Sequence, residues 1–313
     1  MKNYRILITD GLDEKGQSIL RDSATVDNQS GISADDLLKV IPEYDALIVR
    51  GRTKVTAAVM DAASKLKVIG RAGVGVDNID LESAKAHNIA VVNAPVSTSV
   101  AVAELTFGFL LSLAREIPRA DSGMKGGKWL KKELEGVELN GKTLGVIGFG
   151  RIGVEVGKRA AAFGMNVIAY DPLIPEDVIK ERGADPASLQ DLYAWSDFIS
   201  LHMPLTVETR DMVGLQAFSQ MKDGVRIVCA ARGGIIDETA LVEALNSGKV
   251  AGAALDVFRV EPPGLSETVT HPRVIATPHV GAQTAEAQSR ASEDIANEVL
   301  SALRGESLRW RVA

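Results

Sequence analysis

The stretch Thr143-Leu-Gly-Val-Ile-Gly-Phe-Gly-Arg-Ile-Gly153 decides the fold of this chain. Its apolar start is typical of a buried strand, and the glycines that follow are typical of a tight turn into a helix. Gly148 would make the turn, Gly150 would let the backbone approach a pyrophosphate, and Gly153 would let the helix pack close to its strand. The pyrophosphate would lie on the free N–H groups at the helix N-terminus. The stretch therefore predicts a dinucleotide-binding fold.

A second apolar run, Asn166-Val-Ile-Ala-Tyr-Asp171, ends on an acid and supports this interpretation. A carboxylate at the end of the second strand bonds the ribose hydroxyls of NAD, and it repels the additional phosphate of NADP. Three glycines alone also occur in turns of other α/β proteins, and that alternative stays open. Because strand, helix and acid follow one another in the required order, we expect NAD as the cofactor.

Composition restricts the class of protein. The 313 residues are 46% hydrophobic and only 4% aromatic, so we expect two domains with cores of aliphatic side chains. The formal net charge of −6 argues against nucleic acid and anionic membranes as partners. Cys229 is the only cysteine, so an internal disulfide is excluded and a reducing compartment fits. The N-terminus lacks the apolar run of a signal peptide, and we expect a cytoplasmic protein.

Short apolar, β-branched runs alternate with helical patterns in two successive blocks of the sequence. This alternation predicts an α/β protein whose parallel sheets are covered on both faces. We expect two Rossmann-like domains, one flavodoxin-like and one dinucleotide-binding, with a cleft between them. The substrate-binding domain would comprise residues 1–97 and 286–313, and the NAD-binding domain residues 98–285. A final helix near residues 285–303 would return to pack on the first domain.

A second glycine pair, Gly73 and Gly75 on either side of Val74, also follows a predicted strand. The pair lacks a third glycine and a suitably placed acid, so a second dinucleotide site is not expected. The backbone N–H groups of such a loop can hold a small carboxylate. A tight turn without a ligand fits the same spacing, and both interpretations stay open.

Three residues of the second block follow predicted strands, where the ligands of open α/β sheets collect. They are Arg232, Glu261 and His279. Oxidation of a secondary alcohol needs a base for the hydroxyl proton, and histidine suits this near neutral pH. A carboxylate on the other ring nitrogen fixes the tautomer and favours the imidazolium. An arginine can grip a substrate carboxylate and polarise the developing carbonyl.

Each of the three residues also fits a structural role. A surface arginine, a loop glutamate and a helix-capping histidine would look the same when taken singly, so spacing alone leaves both interpretations open. His202 ends a predicted strand on the cofactor side, which favours a contact to the cofactor over the role of base. No metal site is expected.

Several further segments, spread over nearly the whole chain, carry a resemblance to a known family. They resemble the D-isomer-specific 2-hydroxyacid dehydrogenases, and within that family most closely the D-3-phosphoglycerate dehydrogenases. The segments are residues 46–56, 68–80, 103–105, 139–153, 231–238, 254–258, 261–263 and 278–282.

The resemblance implies roles for individual residues. The family's catalytic set would be Arg232, Glu261 and His279. The substrate carboxylate would be held by the loop of Gly73, Val74 and Gly75. A substrate phosphate would be bound by basic residues of the first domain, namely Arg50, Arg52 and Arg71, because the planar guanidinium suits phosphate. Contacts to NAD are implied for Arg151, Ile152, Asp171, His202, Ala231 and Asp256.

The activity that the resemblance implies is the NAD-dependent oxidation of D-3-phosphoglycerate to 3-phosphohydroxypyruvate, the first step of serine biosynthesis. A glyoxylate or hydroxypyruvate reductase is the alternative enzyme, because an unphosphorylated substrate needs less positive charge. An NAD-sensing dimeric scaffold is an alternative of another class. The resemblance also implies a homodimer, or a tetramer, formed through the apolar region at residues 100–115.

Two features depart from the family pattern. Cys229 stands where relatives usually carry asparagine, so the loop before Arg232 would lose an orienting amide. The chain ends at Ala313, soon after the returning helix, whereas many phosphoglycerate dehydrogenases continue into serine-sensing domains. We therefore expect serine feedback of that type to be absent.

Overall fold

The computed structural model describes residues 4–313, which form two compact units. One unit comprises residues 4–99 and 282–313, and the other comprises residues 100–281. Each unit contains one sheet of parallel strands, five in the first unit and seven in the second. The predicted α/β class with two parallel-sheet domains is therefore confirmed.

The strands are short and most of their side chains are buried, as expected for sheets covered on both faces. In the first unit, β1 to β5 are Arg5–Ile8, Thr25–Asn28, Ala46–Val49, Val68–Arg71 and Ala90–Asn93. In the second unit, β6 to β12 are Thr143–Ile147, Asn166–Tyr170, Asp185–Pro186, Phe198–Leu201, Val225–Cys229, Val250–Leu255 and Val274–Ala276. The sheet orders are β2-β1-β3-β4-β5 and β12-β11-β10-β9-β6-β7-β8.

Helices connect and cover these strands. In chain order, the α-helices of the described residues, α1 to α13, are Glu14–Ser23, Ala34–Val40, Ala57–Ala62, Leu81–Ala86, Ser99–Arg115, Ile117–Lys125, Arg151–Ala162, Glu176–Glu181, Leu189–Trp195, Leu215–Gln220, Glu238–Ser247, Glu267–Thr270 and Ala285–Arg304. Polar side chains cap several N-termini. The side chains of Ser33, Asp80 and Thr284 accept backbone N–H groups at the starts of α2, α4 and α13.

Two strands lack the apolar, β-branched run from which the sequence predicts the others. They are β2, with the sequence Thr-Val-Asp-Asn, and β8, with the sequence Asp-Pro. Both are edge strands of their sheets. An edge strand faces solvent and needs no continuous apolar run, so the hydrophobic pattern that marks the central strands is missing there.

The final helix α13 packs on the sheet of the first unit. Its residues Ile295, Ala296 and Val299 are buried in one apolar cluster with side chains of β1 and β4. A Cβ added to Gly70 in β4 would lie 2.6 Å from Cγ2 of Val299 and 3.0 Å from Cγ1 of Ile295. The missing side chain of this glycine therefore lets the helix approach the strand.

The sheet of the second unit reverses its direction of growth at β6. The next strand in the chain, β7, lies on one side of β6, whereas β9 lies on the other side. Ligands of open α/β sheets bind beyond the carboxyl ends of the strands at such a reversal, which here involves β6 and β9. The glycine-rich turn follows β6, and His202 follows β9. The topology therefore places the predicted cofactor residues of both strands side by side.

Two features are absent from residues 4–313. None of the helices there is long and apolar enough to cross a membrane. The same stretch contains no group of three or more His, Cys, Asp and Glu side chains arranged to hold a metal ion.

Gly70→Ala is expected to lower the free energy of unfolding by about 1–3 kcal/mol, because the added methyl group would overlap side chains of α13. Urea unfolding followed by circular dichroism measures the change. Gly51→Ala is the matched control, because a Cβ at that position would meet no atom within 4 Å. Equal loss of stability in both variants would contradict the close contact of α13 with β4.

Candidate active site

The glycine-rich turn after β6 has the backbone geometry that a dinucleotide needs. Gly148 has φ +87°, and a Cβ there would lie 2.8 Å from the carbonyl carbon of His202 and from the nitrogen of Met203. A side chain at this position would therefore be strained and would also push the loop after β9 away. The backbone N–H of Gly148 donates to the carbonyl of Tyr170 at 2.8 Å, which ties the turn to the end of β7.

The start of α7 leaves room for an anion. Gly150 is the N-cap residue, no side chain caps the helix, and a Cβ added there would meet no atom within 4 Å. Arg151 and Ile152 form the first helical residues. A Cβ on Gly153 would overlap the carbonyl oxygen of Gly148, so this glycine lets the helix pack against the turn. Open space in front of uncapped N–H groups fits the pyrophosphate of NAD.

Asp171 directly follows β7 and is bonded to the same turn. Its Oδ2 accepts the backbone N–H of Phe149 at 2.9 Å, and its Oδ1 accepts the N–H of Leu173 at 2.9 Å. Arg182 donates to the carbonyl of Phe149 at 3.0 Å and holds the turn from α8's end. The carboxylate is thus fixed in orientation at the end of the second strand, where the dinucleotide fingerprint places the ribose-binding acid.

His202 is an uncharged, partly buried side chain beside the Gly148 turn. Its Nε2 lies 2.7 Å from the hydroxyl of Ser200, and its Nδ1 is buried without a hydrogen-bond partner among the described residues. Burial lowers the pKa of His202 to about 3, so the ring is neutral near physiological pH. A buried polar atom without a partner in the protein is a group that a bound cofactor can satisfy.

The structure brings Glu261 and His279 into direct contact. Oε2 of Glu261 lies 2.8 Å from Nδ1 of His279, and Oε1 accepts the backbone N–H of Phe258 at 3.1 Å. Partial burial by itself would raise the pKa of Glu261. The hydrogen bonds from His279 and Phe258, with the positive charges of His279 and Arg232, outweigh burial and hold this pKa below its ordinary value. Glu261 is therefore an ionised carboxylate. By bonding Nδ1 of His279, it leaves Nε2 as the ring nitrogen that points away from Glu261.

The backbone at His279 is held in an unusual conformation. His279 has φ +53°, in the left-handed region that residues other than glycine rarely occupy. Its N–H donates to the carbonyl of Asp256 at 2.9 Å. The Asp256 carboxylate is fully buried and accepts three further donors from the same loop, namely Thr277 Oγ1 at 2.6 Å, Val280 N at 2.8 Å and Gly281 N at 2.7 Å. Asp256 therefore holds the loop that presents the imidazole.

Arg232 belongs to a loop that packs closely on the segment carrying Glu261. Its Nη1 donates to the carbonyl of Ala231 at 2.6 Å, and its charge acts on the Glu261 carboxylate. A Cβ on Gly233 would overlap the carbonyl of Phe258, so only glycine allows this approach of the two loops. The three predicted catalytic residues thus lie on loops that contact one another in the second unit.

Cys229 lies beneath the Arg232 loop. Its Sγ is 3.8 Å from the carbonyl oxygen of Arg232, and burial raises the pKa of the thiol to about 11. The side chain is therefore a neutral thiol and a weak hydrogen-bond donor. This weak contact joins the end of β10 to the Arg232 loop.

The predicted substrate residues all lie in the first unit. The carbonyl of Val74, between the two glycines, accepts the side-chain amide of Asn93 at 2.7 Å, which fixes the loop after β4. A Cβ on Gly73, at φ +148°, would overlap the Arg71 guanidinium, so that guanidinium lies against the glycine. The Arg71 guanidinium and the glycine loop thus lie side by side at the carboxyl end of β4.

Arg50 and Arg52 follow β3 and share a partner that sequence reasoning missed. The buried carboxylate of Asp10 accepts the backbone N–H of Arg50 at 2.8 Å and the Nε of Arg52 at 3.3 Å. An acid directly after the first apolar strand was the available signal, because carboxyl ends of parallel strands collect functional side chains. Thr277, which bonds Asp256, was missed as well, and no pattern in the sequence marks it.

Comparison with known proteins gives a consistent result. Residues 107–281 match the model of the family described as D-isomer specific 2-hydroxyacid dehydrogenase, NAD binding domain. A D-3-phosphoglycerate dehydrogenase from Methanocaldococcus jannaschii is 50% identical over 303 residues, which cover 96% of this chain and 58% of the relative. The chain thus spans little more than half the length of this relative.

This chain covers two other similar proteins over almost their whole length. A hydroxypyruvate reductase from Thermotoga maritima is 48% identical over 307 residues, covering 97% of this chain and 99% of the relative. The crystal structure of a D-lactate dehydrogenase from Aquifex aeolicus, complexed with NAD and lactic acid, is 33% identical with a TM-score of 0.83 and covers 96% of both chains.

The neutral state of His202 predicts how stability depends on pH. An unfolded chain binds a proton at this histidine near pH 6.5, whereas the folded protein does so only near pH 3. The unfolded state therefore binds more protons between these values, and His202 lowers the free energy of unfolding by up to about 1.4 kcal/mol for each pH unit of acidification.

His202→Asn should make this acid dependence shallower. Urea unfolding of both proteins between about pH 6.5 and pH 4.5 measures the two slopes. Identical slopes would show that the folded protein protonates His202 at its ordinary pKa.

Proposed function

We propose, from the premise that this chain belongs to the D-isomer specific 2-hydroxyacid dehydrogenase family, that it oxidises the hydroxyl-bearing carbon of a 2-hydroxy acid with NAD. The observation that carries the proposal is the hydrogen bond of 2.8 Å between Glu261 and His279. Membership of this family confirms the predicted family, and the matched NAD binding domain confirms the predicted cofactor. The homodimer stays a prediction.

His279 acts as the base in this proposal. Because Glu261 bonds Nδ1, the other nitrogen, Nε2, takes the hydroxyl proton of the substrate. The negative charge of Glu261 then stabilises the imidazolium that forms. The low pKa of Glu261 keeps its carboxylate ionised while His279 gains and loses the proton.

Arg232 binds the substrate carboxylate and the oxygen that becomes a carbonyl. Its guanidinium is planar and permanently charged, so it can donate two parallel hydrogen bonds to a carboxylate. Its loop is fixed by the contact of Gly233 with Phe258, which keeps the guanidinium oriented before the substrate arrives. Bound NAD⁺ supplies the hydride acceptor, and Gly148, Gly150, Gly153, Asp171 and His202 would hold it.

The substrate we propose is D-3-phosphoglycerate, with 3-phosphohydroxypyruvate as product and serine biosynthesis as the pathway. Support comes from three arginines at the ends of neighbouring strands of the first unit, Arg50, Arg52 and Arg71. A phosphate with about two negative charges needs such partners. The resemblance to D-3-phosphoglycerate dehydrogenases, at 50% identity for the Methanocaldococcus jannaschii protein, points the same way.

Reduction of hydroxypyruvate is the second candidate function. The observation in its favour is that the relative named hydroxypyruvate reductase is matched over 99% of its length, whereas the phosphoglycerate dehydrogenase is matched over 58%. Both candidates use the same base, carboxylate and arginine. They differ only in whether the substrate carries a phosphate.

His279→Ala is expected to retain NADH binding and to lose activity by about 10²–10⁴-fold, because the base is removed. Glu261→Gln should lose less, since the imidazole remains but its imidazolium is no longer stabilised. Initial rates and NADH fluorescence titrations measure the two properties separately. Glu267→Gln, at an exposed residue of α12, is the control and should resemble the unmodified protein. Normal turnover by His279→Ala would overturn the assigned base.

The substrate is tested by initial rates of NADH oxidation with 3-phosphohydroxypyruvate, hydroxypyruvate and glyoxylate, and of NADH formation with D-3-phosphoglycerate. We expect a higher kcat/KM for the phosphorylated pair, and Arg50→Ala should raise KM for that pair by about tenfold or more. A preference for hydroxypyruvate or glyoxylate would retain the mechanism and replace the substrate. Absence of turnover with tight NADH binding would favour the NAD-sensing scaffold.

A further inference from the structure

Arg50 has an unusual set of neighbours for a guanidinium. The side chain is half-buried at the end of β3, and its Nη2 donates to the amide oxygen of Gln283 at 2.7 Å. Burial lowers the pKa of Arg50, and the charge of Asp10 only partly opposes this. An amide oxygen orients a guanidinium without neutralising it, so the positive charge of Arg50 stays available to an anion.

Asp10 fixes the backbone on which Arg50 stands. Its side chain is only 4% exposed and accepts four donors. These are the N–H of Arg50 at 2.8 Å, the N–H and hydroxyl of Thr53 at 3.0 and 2.5 Å, and the Nε of Arg52 at 3.3 Å. A buried carboxylate with this number of donors is rigid, because moving any of them would leave a buried polar group unpaired.

Asn78 bonds the same loop, residues 50–53, from its other side. Its side-chain amide donates to the carbonyl of Arg50 at 3.0 Å and to the carbonyl of Thr53 at 2.7 Å. The loop between these two residues is thus bonded at its N–H groups by Asp10 and at its carbonyls by Asn78. Both Thr53 and Asn78 are buried, which shields these bonds from water.

Arg52 differs from Arg50 in how its donors are used. Beyond Asp10, its guanidinium donates to the carbonyl of Thr9 at 2.9 Å and to that of Ile32 at 3.3 Å. All its bonds therefore hold the loop to β1 and to the segment before α2, and its charge is paired with the Asp10 carboxylate. Arg50 has a neutral acceptor in place of such an ion pair.

We infer that Asp10 and Gln283 are positioning residues that hold Arg50 as the cation selecting a phosphorylated substrate. The inference rests on the proposed function and adds the reason why one arginine of the group discriminates. Gln283 orients the Arg50 guanidinium and leaves it charged. Asp10 fixes the backbone of Arg50, and Arg52 bonds the loop to the residues around it. Replacing the Gln283 oxygen by a carboxylate would pair the charge of Arg50 and weaken its attraction for a phosphate.

The experiment compares Gln283→Glu with Gln283→Met and with the unmodified protein. For each, kcat and KM are measured with NADH and either 3-phosphohydroxypyruvate or hydroxypyruvate, and the Kd of NADH is measured by fluorescence. We expect Gln283→Glu to raise KM for the phosphorylated substrate by about tenfold or more, with kcat and the hydroxypyruvate values changed by less than about threefold. Gln283→Met should give an intermediate KM, because it releases Arg50 without pairing its charge.

Asp10→Asn tests separately whether Asp10 holds the loop of Arg50. It should reduce the ratio of kcat/KM between the two substrates while the Kd of NADH stays unchanged. The matched controls are Asp36→Asn, an exposed carboxylate at the start of α2, and Gln216→Glu, an exposed glutamine of α10. Neither control should change the ratio. Because both substrates are measured on one preparation, partial loss of folded protein cancels from the ratio.

The outcomes separate this inference from the proposed function. If the unmodified protein prefers the phosphorylated substrate and Gln283→Glu and Asp10→Asn keep that preference, the positioning roles are overturned and the function stands. If the unmodified protein turns over hydroxypyruvate without preference for the phosphorylated acid, the proposed substrate and the inference both fail. A KM rise that is equal for both substrates would indicate a structural role only and would also overturn the inference.

Discussion

The buried carboxylate of Asp256 supports the loop on which the proposed chemistry depends. The carboxylate accepts a hydroxyl and two backbone N–H groups from residues 277–281. The backbone carbonyl of Asp256 accepts the N–H of His279. A non-glycine residue in the left-handed region costs about 1 kcal/mol or more, so it persists only where surrounding bonds determine it. The contact between His279 and Glu261 therefore depends on a third acid, Asp256, which precedes both residues in the sequence and holds the loop of His279.

An aspartate that accepts backbone N–H groups of a loop occurs at three strand ends. Asp10 follows β1, Asp171 follows β7 and Asp256 follows β11, and each carboxylate accepts backbone N–H groups of a functional loop. Parallel strands end on one edge of their sheet, so loops collect there whose N–H groups have no ladder partner. A carboxylate satisfies such donors and fixes the loop in one conformation. The loop of Arg50, the glycine-rich turn after β6 and the loop of His279 are thus held by the same kind of hydrogen bond.

Much of this architecture was predictable because it is encoded locally. Buried central strands need apolar residues, and the turn after β6 needs glycine at three positions, so both can be recognised from the sequence. Glu261 and His279 were predicted as candidates from their positions after strands, yet their 2.8 Å contact joins residues 18 positions apart. Asp10 and Gln283 were missed, since the hydrogen bonds that give them a role link them to Arg50 across 40 and 233 positions.

The sequence by itself determined the sheet class, the family and the cofactor, because alternation of strands and helices and the glycine turn depend on near neighbours in the chain. Only the tertiary structure decided which charges are paired and which stay available. Arg52 is paired with Asp10, Arg50 is held by a neutral amide, and the ring of His202 stays uncharged. Those properties depend on burial and on partners brought together by folding, and no local pattern of residues records either one.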